Sequence, residues 1–353
     1  MSLEERLKAR IRADGPMTIA DYMAACLFDP ADGYYAVRPR LGAGGDFVTA
    51  PLISQMFGEL LGLWSVEVWR RLGAPERFRW VEVGPGDGAL IEDALRAARL
   101  APDFLQAAEL VLVEPSRPLR DAQARRLAGA DLQPRWVGDL AALEDDLPVV
   151  LIANEVLDCL PARQFVRTAE GWAERRVGLD AEGRLVFGLS AGEPPEAMAA
   201  QLGEVIEVST AQQAFGAMLG ELVERVSGVA LLIDYGRAGA EPGDTFQGLR
   251  RHRKVSPLAA PGHVDLTVWA DFPQVLTAAL GRADVTRCLG QGEFLQRLGL
   301  GARLESLVRR NPEREAMLRR QAKRLTAPEQ MGELFKAAAI FAPKHLIIPG
   351  FEA

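Results

Sequence analysis

The sequence predicts an α/β fold on a mostly parallel sheet, and three observations carry that expectation. The stretch WVEVGPGDGAL at 80–90 runs from an apolar strand through a glycine-rich turn into helical spacing of apolar residues from Ile91 to Leu100. Apolar runs recur at 79–83, 109–114, 134–137 and 148–153, with helical periodicity between the first pairs, and alternation of this kind implies parallel strands. Each run ends in a polar or acidic group, and ligands of open parallel sheets bind outside the carboxyl ends of the strands.

The chain of 353 residues is 48% hydrophobic and 25% charged, enough to bury a large core as one extended domain or two. Its formal charge of −7 argues mildly against a nucleic-acid binder. Cys26, Cys159 and Cys288 are odd in number and far apart, so no disulfide framework is implied. With no apolar N-terminal segment and no run long enough to span a membrane, the expected compartment is the cytoplasm. The histidines form no metal spacing with the cysteines, and no metal site is expected.

Residues 1–75 read as a mainly helical N-terminal cap. Thr18, with Asp21 three residues on, can cap a helix through Leu27, and Phe57, Leu60, Leu61, Trp64 and Val68 share a face of a second helix ending near Gly73. Between them, Gly33-Tyr34-Tyr35 opens an irregular stretch to Pro51. The loop GDFVTAPLISQMFGE at 45–59 gathers Asp46, Thr49, Ser54 and Gln55. Ser54 or Thr49 caps the helix in one reading; in the other the loop folds over a ligand as a lid.

The remaining chain, 76–353, reads as the α/β domain, interrupted by insertions at about 160–205 and 237–330. Antiparallel strands are expected at 165–167, 172–177 and 185–189, with a turn at 180–183. A helix at 210–226 leads to a fifth parallel strand at 229–233. Residues 237–265 show no periodicity and read as a functional loop on the substrate rim. Helices follow at 272–281, 291–298, 302–310 and 312–324, and 339–348 closes the sheet.

The glycine turn admits rival cofactors. A dinucleotide fingerprint is G-x-G-x-x-G with an acidic residue about 20 positions on. Here the spacing from Gly84 through Gly86 to Gly88 is G-x-G-x-G, with Glu82 in the strand end and Glu114 at the end of the next strand. That arrangement looks like the first motif of the Rossmann-like class I methyltransferases, E-x-G-x-G-x-G. A strand–turn–helix with no ligand is the plain alternative.

Beyond the turn, Asp139-Leu140 follow the third strand, Asn154, Glu155 and Asp158 the fourth, and Asp234-Tyr235 the fifth. Glu155, directly after a wholly apolar strand, is expected to face a cleft, whereas Asp158 is as readily a turn former.

Further motifs run in order along nearly the whole chain. GDFVTAPLISQMFGELLGLW at 45–64 and VEVGPGDGAL at 81–90 are followed by VEPSRPLRDAQ at 113–123 and NEVLDCLPARQF at 154–165. DYG at 234–236, GDTFQGLRRH at 243–252, PGHVDLTVWADF at 261–272, QGEFLQRLGL at 291–300 and MGELFK at 331–336 complete them. With these motifs the chain resembles the MidA family of S-adenosylmethionine-dependent methyltransferases. The resemblance implies a class I methyltransferase fold with an N-terminal cap and a large C-terminal insertion. It implies that Gly84, Gly86 and Gly88 hold the methionine portion of S-adenosyl-L-methionine, Glu114 its ribose, and Asp139 and Leu140 its adenine. Mitochondrial members are associated with complex I assembly through dimethylation of an arginine on a complex I subunit. The corresponding expectation is a protein substrate whose guanidinium is gripped by Glu155, assisted by Asp158, with Asp265 and Asp234 in reserve.

Two basic clusters, Arg250-Arg251-Arg253-Lys254 and the tract Arg303–Arg324 with eight basic and three acidic residues, keep an RNA methyltransferase as an alternative. A small-molecule methyltransferase and a scaffold or assembly factor retaining the fold are the others. A homodimer is compatible with the sequence.

Overall fold

The computed structural model describes residues 1–37, 49–144, 146–195, 199–239 and 241–352. Five parallel strands form the centre: β1 (Phe78–Val83), β2 (Ala108–Val113), β3 (Arg135–Val137), β4 (Val149–Asn154) and β5 (Gly228–Arg237). An antiparallel strand, β6 (Phe335–Ala342), pairs with β5 along the register Gly228↔Ala342 to Tyr235↔Phe335. The order is β3-β2-β1-β4-β5-β6, so the chain reverses direction across the sheet between β1 and β4. That is a switch point, where a crevice opens at the strand ends.

Strand alternation explains the packing. Trp80, Leu112, Ile152 and Leu231 point to one face, where the helices Gln55–Arg71, Ala89–Ala98 and the helical tract 291–326 cover them. Val81, Val111, Leu151 and Leu232 point to the other, under Thr210–Val226 and Phe272–Ala279. Burial on both faces is why these strands read as continuous apolar runs. A third core joins the helices Leu3–Asp14 and Ile19–Phe28 to Val177, Phe246 and Leu266.

The antiparallel insertion forms a second sheet, in which Gly171–Leu179 pairs with Arg163–Thr168 and Leu185–Ala191, and Val205–Val208 extends it. The helix at Thr210–Val226 has the expected bounds, and the Thr18 hydroxyl accepts from the Asp21 N–H at 3.0 Å as its spacing predicted. Two expectations need correction. Residues 237–265 contain a small sheet of Gln247–Arg250, Arg253–Val255 and Asp265–Thr267, although the sequence shows no period there. The closing strand ends at Ala342, before Pro343, which has no N–H to extend a ladder. Part of the expected lid, including Asp46, lies outside the described residues.

Candidate active site

The turn after β1 is glycine for a backbone reason. Gly84, Gly86 and Gly88 have φ of 63°, 55° and 86°, the left-handed region where side chains are strained. A Cβ on Gly84 would also lie 3.1 Å from Val156 Cγ2, so the turn passes close to the β4 loop. The Gly84 N–H bonds the Val113 carbonyl at 3.0 Å, tying the turn to β2.

Above the switch point lies a cavity of about 250 Å³, lined by Glu82, Gly84, Gly86, Glu114, Asn154 and Glu155. Thr49, Pro51 and Leu52 face them, with Phe28, Tyr35 and Cys159 closing another side. Carboxylates dominate its polar lining, and no lysine or arginine joins the described lining residues.

The charges are poorly compensated. Glu82 is pushed up to about 8 by burial and by the nearby charge of Asp87, and its Oε2 has no hydrogen-bond partner. Burial raises Glu114 to about 7, against the opposing pull of the Ser116 N–H at 2.8 Å and the Gln123 amide at 3.3 Å. Glu155 stands at φ 55°, a conformation unusual for a residue with a side chain. Its Oε1 accepts from the Ala50 N–H at 3.2 Å and from Asn154 Nδ2 at 3.1 Å. Burial first, then the charge of Asp158, lifts it to about 8. Asn154 Oδ1 is buried without a partner.

Further acids stand behind this wall. Asp158 is raised to about 6 by burial, while the Tyr235 hydroxyl hydrogen-bonds its carboxylate. Asp234 accepts the backbone N–H groups of Leu157 at 2.8 Å and Asp158 at 3.2 Å, fixing the loop after β4. The Tyr35 hydroxyl reaches Asp265 Oδ1 at 3.5 Å. Asp158 and Asp265 are thus close to the cavity but not among the residues lining it.

Other expected site residues fall elsewhere. Ser54 caps the helix Gln55–Arg71 through the Met56 N–H at 3.3 Å, and Gln55 donates to Glu59 at 3.0 Å. Asp139 is exposed and caps the turn at Leu140–Ala142, and Leu140 is buried in the core. None of the four lines the cavity. Thr49 does, and its side chain makes no capping bond.

Sequence reasoning passed over Gln123. Its amide donates to the Gly86 carbonyl at 2.8 Å and to Glu114, and its Oε1 accepts from Trp136. A signal was present: Leu119 and Gln123 fall four apart on the one buried stripe of a polar helix. A polar group in a core slot needs a partner there.

The site fits an adenosyl sulfonium. The glycine turn leaves room for close backbone approach, Glu114 can accept from a ribose diol, and the partnerless Glu82 and Asn154 oxygens wait for donors or a cation. A sequence model described as "Putative S-adenosyl-L-methionine-dependent methyltransferase" matches residues 60–289. The chain belongs to this family.

This methyltransferase uses S-adenosyl-L-methionine, which excludes the dinucleotide alternative. A Drosophila melanogaster relative named "Protein arginine methyltransferase NDUFAF7 homolog, mitochondrial" is 35% identical, over 96% of this chain and 85% of its own. The human protein arginine methyltransferase NDUFAF7 is 33% identical, over 96% and 83%. A crystal structure from Burkholderia thailandensis bound to S-adenosyl-homocysteine superposes with a TM-score of 0.84 at 28% identity, covering 99% of this chain and 92% of that one. The expected cytoplasmic location is overturned by the curated relatives, which are named as mitochondrial. Among the described residues no helix is long and apolar enough to cross a membrane.

Proposed function

We propose that this methyltransferase methylates a guanidinium nitrogen of an arginine in a protein, with a respiratory complex I subunit as the first substrate to try. One observation carries the reading: Glu155, on a strained backbone and with its side chain held by Ala50 and Asn154, presents its carboxyl group to a cavity with no lysine or arginine among the described lining residues. A fixed carboxylate is the group that grips a guanidinium fork and aims one nitrogen. The names of the curated relatives point the same way.

In this reading the glycine turn and Glu82 take the methionine end of the cofactor and Glu114 its ribose. Asp139 and Leu140, implied by family resemblance for the adenine, do not line the cavity, so the apolar Pro115 and Leu119 serve that end. The cofactor, when bound, supplies an electrophilic methyl group on sulfur. The protein's task is alignment, since reacting atoms must be held about 3–3.5 Å apart and in line. Glu155 orients the guanidinium and takes the proton that the nitrogen loses as its new N–C bond forms. Burial pushes the free Glu155 carboxyl up to about 8, and an entering guanidinium cation favours the ionised form that grips it and takes the proton. Asp158, Asp234 and Tyr235 brace it from behind, and Thr49–Ile53 closes the cavity as a lid.

The test compares Glu155→Gln with the wild type, using calorimetry for cofactor affinity and mass spectrometry for methylarginine. The variant should bind S-adenosylmethionine within about twofold and transfer methyl at least about 100-fold more slowly. Methylation at the wild-type rate would end the assignment.

A further inference from the structure

The cavity shares a wall with a second hollow. Pro51 and Leu52 line both, and the second, of about 220 Å³, is otherwise walled by Gln55, Asn311, Arg314 and Gln321 among others. Three further cations stand three positions along the helices from its lining residues, a spacing that keeps them on nearly the same face: Arg310 follows Leu307, Arg320 follows Met317 and Arg324 follows Gln321. All four arginines are exposed, and among the described residues none makes an ion pair.

Of the other four cations of this tract, three are paired among the described residues and the exposed Arg309 is not. Arg303 is held by Glu59 at 2.7 Å, Arg319 by Glu305 and Glu315, and Lys323 by Glu329. A solvated helix face usually intersperses its charges in this paired way. Here a chain of net charge −7 leaves four guanidiniums without an ion pair among the described residues, Arg314 in the wall of this hollow and three close to it along the helices, beside an acidic cavity with no lysine or arginine among its described lining residues. The pattern is dipolar: a site for a cation on one side of the Ala50–Ile53 segment and a site for anions adjoining it.

We propose that this basic hollow docks acidic side chains of the protein substrate itself, flanking the arginine that enters the cavity. The inference rests on the arginine reading and adds the substrate's charge pattern to it. A helical wall is about 10 Å across, so the acidic residues should stand roughly three to six positions from the arginine in an extended chain.

Two fluorescent peptides decide it, alike except that one carries two glutamates and the other two glutamines four residues from a single arginine. Anisotropy is read with the full chain saturated in S-adenosyl-homocysteine, at low and moderate salt. The glutamate peptide should bind about 10-fold more tightly at low salt, and the gap should shrink as salt screens it. Combining Arg310→Glu, Arg314→Glu and Arg320→Glu, all at exposed positions, should erase the preference while cofactor affinity and Tm hold. In methylation assays the same variant should raise KM for the glutamate peptide and leave kcat unchanged. Equal affinity for the two peptides in the wild type, or a preference that survives in the triple variant, overturns the proposal. So does a single-stranded RNA that binds this face while the peptides show no difference. If no peptide becomes methylated yet the glutamate preference stands, the arginine reading fails and the docking surface is retained.

Discussion

Glu155 and Gly84 sit on facing loops, and at both the backbone conformation sets the cost of substitution. At φ 55° any side chain at position 155 is strained, and the strain persists because the Ile233 carbonyl holds its N–H at 2.8 Å. Glu155→Ala and Glu155→Gly both remove the carboxylate, so both should be inactive. Of the two, Glu155→Gly should be more stable by about 1 kcal/mol in urea unfolding, because only glycine accepts this backbone freely. Equal midpoints would mean that the loop relaxes and stores no strain. Gly84→Ala combines φ 63° with a Cβ placed 3.1 Å from Val156 Cγ2. The turn must shift, and S-adenosylmethionine affinity should fall by about 10-fold in calorimetry, against a stability loss of about 1–2 kcal/mol.

Helix Gln55–Arg71 is where the N-terminal segment fastens onto the layer that bears the glycine turn. A Cβ on Gly62 would lie 2.5 Å from the Ala94 carbonyl oxygen and 2.7 Å from its Cα, so that helix and Ala89–Ala98 touch backbone to backbone. Alanine is otherwise the better helix former by about 1 kcal/mol, but the clash should win. Gly62→Ala is expected to destabilise by about 1–3 kcal/mol in thermal unfolding and to weaken cofactor binding, since Ala89–Ala98 begins at the turn. Gly301, with only a flexible Gln296 oxygen at 3.7 Å, is the control, and Gly301→Ala should be neutral or slightly stabilising. These close contacts are tertiary, and periodicity does not carry them. What periodicity did carry was the alternation of β1 to β5, because strands buried on both faces must be apolar throughout. Glu155 was legible for the same reason, as a charge where an apolar run stops. The hairpin at 247–255 was hidden because its turn, Arg251-His252, takes positive φ at both residues without the Asn or Gly that usually marks it. Ser54 and Asp139 carried a polar signal that local capping consumes, and Tyr35 and Gln123 gained their place only when distant elements met.

Across the whole molecule, the switch point gathers buried carboxyl groups with Arg120, beside Glu114, as a nearby cation among the described residues, and stability must register it. Glu82 and Glu155 are raised to about 8 and Glu114 to about 7, mainly by burial. The unfolded chain releases these protons near the ordinary carboxylate range, so between there and about pH 8 the native state binds more protons than the unfolded state. Stability therefore falls as pH rises through this window: the contribution is complete below the unfolded pKa and lost above the folded one. The carboxylates lowered by partners, such as Glu174 between Arg163 and Arg176, act with opposite sign but at lower pH, outside the window. The ligand-free protein should thus lose Tm between about pH 6.5 and about pH 8.5. A sulfonium placed among the ionised groups offsets part of that repulsion, and the neutral thioether of S-adenosyl-homocysteine cannot. The Tm gain from S-adenosylmethionine minus that from S-adenosyl-homocysteine should therefore widen as pH rises, and Glu82→Gln should narrow it. A difference that stays constant across the window would mean that these carboxyls never ionise around the cofactor. Shape and the ribose contact at Glu114 would then have to hold it, and the acidic character of the cavity would serve the substrate alone.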